Sequence, residues 1–136
     1  MKKVILAAAT LLLSASAMAT KAPAHVSEYI ISPQDGATVS KTFTVKFGLS
    51  GMGVAPAGIN VKNTGHHHLL IDLKQQPDLH KPLPANAHIR HFGGGQTETQ
   101  ITLPPGKHTL QLMLGDYMHV PFSPVVESKK ITVYVQ

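Results

Sequence analysis

The 136-residue sequence predicts an all-β protein that folds as a single domain, an immunoglobulin-like antiparallel β-sandwich. Apolar and polar residues alternate over short stretches, and no stretch has apolar residues at helical spacing over several turns. Ten prolines and eleven glycines interrupt the chain. Strands with one apolar face need a second sheet to cover that face, and a sandwich supplies it.

The alternation predicts a strand wherever every second residue is apolar. Leu73 belongs to the inward-facing set of the third strand, and residues 104–107 are expected to join the fourth and fifth strands as a short hairpin loop. The segments 50–65 and 74–97 are long enough to be typical of functional loops. In chain order, the six predicted strands cover residues 26–31, 42–49, 67–73, 98–103, 108–114 and 129–135.

Residues 1–19 have the three parts of a secretory signal peptide. Two lysines precede an apolar stretch over residues 4–13, and Ala17-Met18-Ala19 then forms a small-residue cleavage pattern. We therefore expect cleavage near Ala19, a mature domain over residues 20–136 and a periplasmic location. The apolar stretch is shorter than the roughly 18 residues that a membrane-spanning helix needs, so no membrane span is expected.

The composition argues against two classes of function. The formal net charge is +5, and without Lys2 and Lys3 ten basic residues face seven acidic ones. The basic residues are scattered along the chain, so no nucleic-acid partner is expected. The chain has no cysteine, which excludes disulfide bonds and a cysteine-ligated structural zinc site.

Three consecutive histidines, His66 to His68, form the most informative motif in a chain with nine histidines. Histidine is the commonest metal ligand in proteins. In an immunoglobulin-like sandwich, the loops that enter the third and fourth of these strands and leave the fifth lie at one end. The predicted topology therefore gathers a group of polar residues near the triplet, namely His25, His88, His91, Asp116, Met118 and His119.

Strand alternation divides the triplet. His66 and His68 share one face and can hold one ion together, whereas His67 is in phase with Leu69 and is expected at the edge of the core. Imidazole donors, with optional thioether or carboxylate donors, suit copper or zinc. The predicted ligands are His66, His68, His91 and His119, and the further candidates are His88, Asp116, Met118 and Met52.

Each candidate also has an ordinary structural interpretation. His66 and His68 could be a solvated strand end, and Asp116 could be a turn residue after Gly115. The methionines could simply pack within their loops. His108 and His80 are expected to lie away from the site, because His108 begins the strand whose far end carries the ligands.

Several short segments together resemble a known family. They are residues 51–54 (GMGV), 56–58 (PAG), 64–72 (TGHHHLLID), 91–98 (HFGGGQTE) and 105–112 (PGKHTLQL). The combination resembles domain-of-unknown-function family 4399 (DUF4399), a family of small exported bacterial proteins. The resemblance implies a single periplasmic domain. It implies no ligand, since the activity of the family is not established.

Three functions are compatible with these residues. The first is a periplasmic module that binds a copper or zinc ion. The second is a module that binds a periplasmic protein or an envelope component without a metal, using the flexible Gly93–Gly95 stretch and the proline-rich loops. The third, a metal-assisted hydrolase that uses Asp116 and Glu98, is the least expected because the chain carries no nucleophile motif. We therefore expect a binding protein rather than an enzyme.

Overall fold

The computed structural model describes residue 10 and residues 18–136, so most of the predicted signal peptide lies outside the described residues. Within this part of the chain, no helix is long and apolar enough to span a membrane. The strands in chain order are β1 (Ser27–Ser32), β2 (Ala37–Val39), β3 (Thr42–Ser50), β4 (Gly53–Val54), β5 (Thr64–Ile71), β6 (Ile89–His91), β7 (Glu98–Thr102), β8 (Gly106–Gly115) and β9 (Ile131–Val135).

Two sheets build the fold and confirm the predicted all-β class. One has the antiparallel order β1-β3-β7, and the other has the order β2-β9-β8-β5-β4, with β6 also paired to β5. Each of the six predicted strands overlaps one observed strand. The short β2–β9 and β4–β5 pairings are parallel, so the sheets are not wholly antiparallel. The immunoglobulin-like detail stays a prediction.

Apolar side chains cover both faces of β5. Between the two sheets lies the main core, in which alternate residues of facing strands meet. On the opposite, outer face of β5 and β8, Leu70 and Met113 pack against Leu83 and Ile89 from the segment between β5 and β7. Polar side chains on either face of β5 are therefore removed from water. The main core consists of Phe43, Val45, Phe47, Leu69, Ile71, Phe92, Ile101, Leu103, Leu110, Leu112, Val133 and Val135.

Three local predictions are wrong. Residues 104–107 do not form a hairpin, because β7 and β8 belong to different sheets and the segment crosses between them. Leu73 does not face the main core, because β5 ends at Ile71, Asp72 has a φ of 54°, and Leu73 packs with the outer cluster. The segments 50–65 and 74–97 are not only loops, since the first contains β4 and the second contains β6.

Candidate metal centre

Strand β5 presents the histidine triplet on two faces of the larger sheet. His66 and His68 point to the outer face, and each has 0% of its surface exposed. His67 points between the sheets, where its ring packs against Phe47 of β3. This division follows the predicted alternation, because successive side chains of a strand point to opposite faces. His66 and His68 therefore form one wall of a buried site.

Strand β6 brings a third histidine to this wall. His91 lies opposite His68 in the antiparallel β5–β6 register, and its Nε2 is 3.1 Å from Nε2 of His66. The sequence predicts His91 near the triplet as part of a loop at one end of the sandwich. The proximity is confirmed, but its cause is strand pairing beside β5 rather than convergence of loops.

His119 completes a cluster of four imidazoles, which we call the histidine cluster. It lies in the turn after β8, and its ring centroid is 5.0 Å from that of His66, 4.6 Å from His91 and 6.2 Å from His68. The centroids of His66, His68 and His91 are 4.8 to 5.2 Å apart. The structure thus brings together the four residues predicted as principal ligands, from three separate segments of the chain.

The ligand nitrogens of three members of the histidine cluster, His66, His68 and His91, are close enough together to hold one metal ion. One ligand nitrogen from each of His66, His68 and His91 lies within 4.8 Å of the other two. His91 Nε2 and His66 Nε2 are 3.1 Å apart and form a hydrogen bond; two imidazole nitrogens on a tetrahedral ion with bonds of about 2.0–2.1 Å are about 3.3 Å apart, so an ion could replace this hydrogen bond with little movement of the rings.

Six buried side-chain atoms of the described residues lack a hydrogen-bond partner, and four of them belong to the histidine cluster: His66 Nδ1, both ring nitrogens of His68, and His119 Nδ1. The other two are Glu28 Oε2 and His67 Nε2. Buried polar atoms are nearly always paired, and a metal ion bonds one nitrogen of each imidazole, so it would supply a partner for some of these atoms.

The surroundings keep the imidazoles of His66, His68 and His91 neutral. Burial, followed by repulsion from His119 and His91, lowers the pKa of His66 to about 4. Burial, followed by repulsion from His66 and His91, lowers the pKa of His68 to about 3. Burial and repulsion from His119 also lower the pKa of His91. Because neutral imidazole is the form that binds a metal, these side chains are ready to coordinate one at neutral pH.

Asp116 shapes the turn that carries His119. Its Oδ1 accepts hydrogen bonds from the backbone N–H groups of Met118 (2.9 Å) and Val120 (3.0 Å), and its Oδ2 accepts one from the Thr20 hydroxyl (2.7 Å). Its backbone carbonyl accepts a bond from the N–H of His119 (2.9 Å). Oδ1 is therefore engaged within the turn and Oδ2 is engaged by Thr20, so Asp116 fixes the turn that carries His119 and does not join the ligand group of His66, His68 and His91.

We expect Asp116→Ala to lower the free energy of unfolding by about 2–3 kcal/mol, because hydrogen bonds to a charged acceptor contribute about 1.5–3 kcal/mol. Asp116→Asn keeps an amide oxygen for the two backbone donors, so it should lose less than half as much. Urea unfolding of the two variants gives the comparison. Equal losses in the two variants would show that these hydrogen bonds do not stabilise the turn.

A carboxylate that the sequence analysis did not identify holds His67. Nδ1 of His67 lies 2.6 Å from Oε1 of Glu28 in β1, so this hydrogen bond joins the two sheets. Burial raises the pKa of Glu28, and the hydrogen bond and the charge of His67 oppose the rise. The sequence does contain a signal for this contact. Glu28 is two residues before Ile30, so it shares the strand face of an apolar residue and is expected to point into the core.

Neither methionine candidate is brought into the histidine cluster as a buried ligand. Met52 packs with Leu114 and Phe122 in an apolar cluster on the inner face of the larger sheet. Since His66 and His68 lie on the outer face, the proposed thioether ligand from Met52 is corrected to a packing residue. Met118, which precedes His119, is 52% exposed.

Two further histidines predicted near the triplet lie elsewhere. His88 is exposed, and its Nδ1 is 2.8 Å from the carbonyl oxygen of Ile71. His25 is exposed just before β1. His108 lies away from the cluster, as predicted, with its Nδ1 2.7 Å from Oδ2 of Asp72. The hydrogen bond to Asp72 is the main cause of the raised pKa of His108.

Comparison with known proteins identifies a family but no ligand. The family described as "Domain of unknown function (DUF4399)" matches residues 45–136, which include all four members of the histidine cluster. This confirms the resemblance seen in the sequence motifs. No curated protein and no solved structure matches the chain. The chemistry of the site therefore rests on its own residues.

Proposed function

The chain belongs to the DUF4399 family, and we propose that it binds one copper or zinc ion through His66, His68 and His91, with His119 as the fourth ligand. One observation carries the proposal: three histidines from two paired strands present ligand nitrogens within 4.8 Å of one another. Burying such groups without partners is costly. A metal ion would give one nitrogen of each ring a bonding partner, which explains why these groups are buried together.

The donor set favours a transition metal such as copper or zinc over calcium and magnesium. Imidazole suits copper, zinc, iron and nickel, whereas calcium and magnesium prefer oxygen ligands. Asp116 acts on His66 through its charge, but its two oxygens already accept hydrogen bonds. With imidazole ligands alone, the general affinity order places Cu²⁺ above Zn²⁺.

We further propose that residues 1–19 direct export and are removed, so that the protein holds or transfers its ion in the periplasm. The lysine pair, the apolar stretch and the Ala17-Met18-Ala19 pattern support this part of the proposal. Cell fractionation with N-terminal sequencing tests it. A mature chain that begins near Thr20 is the expected result, and an uncleaved chain in the cytoplasm would refute it.

Calorimetric titration of untagged protein with Cu²⁺ and with Zn²⁺ at neutral pH tests the metal proposal. A polyhistidine tag is left out because it binds the same ions. We expect one ion per chain. Metal analysis of protein purified from its native cells should then identify which of the two ions is held. Absence of binding to both ions in the titration would overturn the proposal.

The pKa shifts predict that binding resists mild acid. An unperturbed imidazole, with a pKa near 6.5, is about 90% protonated at pH 5.5, which costs about tenfold in affinity per ligand. Because the pKa values of His66 and His68 are about 4 and about 3, both remain neutral at that pH. Proton competition at these two ligands should begin only as the pH falls below their lowered pKa values.

Zinc affinity measured between pH 7.5 and pH 5 checks this prediction. A synthetic peptide that covers residues 64–72 is the control, since its histidines are solvated and should release zinc as the pH falls through about 6.5. The folded protein should lose less affinity than the peptide over this range. Parallel losses in protein and peptide would contradict the lowered pKa values.

A further inference from the structure

Two glycines lie against the Cε1 edges of two of the ligand rings. A Cβ atom built on Gly93 would lie 2.8 Å from Nε2 of His91, and one built on Gly115 would lie 2.7 Å from Cε1 of His68. Both distances are too short for real side chains, so each ring packs against the bare backbone of a glycine. Neither glycine has a positive φ. The requirement at these positions is therefore space for a ring and not an unusual backbone conformation.

The backbone at both glycines is fixed. The carbonyl of Gly93 accepts a hydrogen bond from the N–H of Ala57 (2.8 Å). Gly115 pairs with His66 in the β5–β8 ladder and forms a further bridge with Pro121. A flexible side chain beside a ring could move aside, whereas the backbone at these glycines cannot shift without breaking hydrogen bonds. A methyl group added at either glycine would therefore displace the ring of His91 or His68.

We propose that Gly93 and Gly115 are positioning residues of the metal site, an inference that rests on the proposed metal binding. Only a residue without a Cβ leaves room for the ring of His91 beside Gly93 and for the ring of His68 beside Gly115. With the rings in these places, the ligand nitrogens of His66, His68 and His91 lie within 4.8 Å of one another.

Competition titrations of untagged protein with Zn²⁺ against a chromophoric chelator separate this inference from the proposed function. Failure of the parent protein to bind Zn²⁺ would remove the proposed function and this inference with it. Equal Zn²⁺ affinities in the parent and in both alanine variants described next would overturn the inference while leaving the proposed metal binding intact.

Alanine substitutions test the two glycines as positioning residues. Gly93→Ala and Gly115→Ala should each lower Zn²⁺ affinity by about 10–100-fold, since the new methyl group displaces a ligand ring. Gly94→Ala is the matched control, because a Cβ there would meet only the side chain of Gln96, and its affinity should stay within about twofold of the parent. The visible absorption spectrum of bound Co²⁺ should change for the two site variants and stay unchanged for the control.

A double-mutant comparison separates ring displacement from general damage. In a His91→Ala background the ring is absent, so Gly93→Ala should cause no further loss of Zn²⁺ affinity and no further loss of stability. If Gly93→Ala lowers the affinity equally with and without the His91 ring, the methyl group acts elsewhere and the positioning role is wrong. Measuring Gly115→Ala in a His68→Ala background gives the second, independent version of the test.

Discussion

Alanine at both His66 and His68 is expected to reduce metal affinity by more than about a hundredfold. Loss of a residue that only supports a ligand costs about 10–100-fold, and this variant removes two of the ligands themselves. Both imidazoles are fully buried. Water that reaches His91 and His119 in the variant would not replace the two missing metal–nitrogen bonds. Calorimetric titration with Cu²⁺ and Zn²⁺ measures the effect.

The matched control removes two histidines that lie outside the cluster. His80 and His88 are both exposed, and His80→Ala with His88→Ala changes the histidine count equally. This control should bind metal with the parent affinity. Unfolding curves of both double variants establish that they are folded. If the control variant loses affinity and the His66/His68 variant keeps it, metal binds elsewhere on the chain.

Glu28→Ala should lower the free energy of unfolding by about 3–5 kcal/mol, the usual cost of removing one partner from a buried, hydrogen-bonded pair. His67 would keep its place between the sheets but would lose the acceptor for its Nδ1. Since folded domains are typically stable by about 5–15 kcal/mol, the loss would be a large part of the total. Urea unfolding measures it.

Removing both partners should be much less harmful than removing one. The double variant Glu28→Leu with His67→Leu replaces two buried polar groups by apolar ones of similar size, a change that is often neutral or stabilising. We expect its stability to lie within about 1 kcal/mol of the parent. The losses of the two single variants should therefore add up to more than the loss of the double variant. If the loss of stability in the double variant equals the sum of the losses in the two single variants, the pair does not act as a unit.

The strands and the division of the triplet could be predicted from the sequence because both depend on local alternation. A period of two separates His66 and His68 from His67 wherever the strand lies in the fold. The same rule predicts which residues of these strands face the main core. It fails for Leu73, because Asp72 adopts a positive φ and ends the alternation. No residue pattern before Asp72 indicates that the strand ends there.

The remaining parts of the site depend on tertiary contacts that alternation does not encode. β6 has only three residues, too few for a periodic pattern, yet its pairing with β5 is what brings His91 to His66. Asp116 is compatible from sequence with either a ligand or a turn residue, and only its hydrogen bonds decide between them. Met52 could be excluded only once the two faces of the larger sheet were known.

The X-ray absorption spectrum of untagged protein loaded with one equivalent of zinc tests the central claim most directly. If the histidine cluster holds the ion, the zinc has three or four imidazole nitrogens at about 2.0–2.1 Å and no sulfur at about 2.3 Å. The imidazole rings also give a multiple-scattering pattern that oxygen ligands lack. A zinc shell made of oxygen alone, or one that includes sulfur from a methionine, would contradict the account.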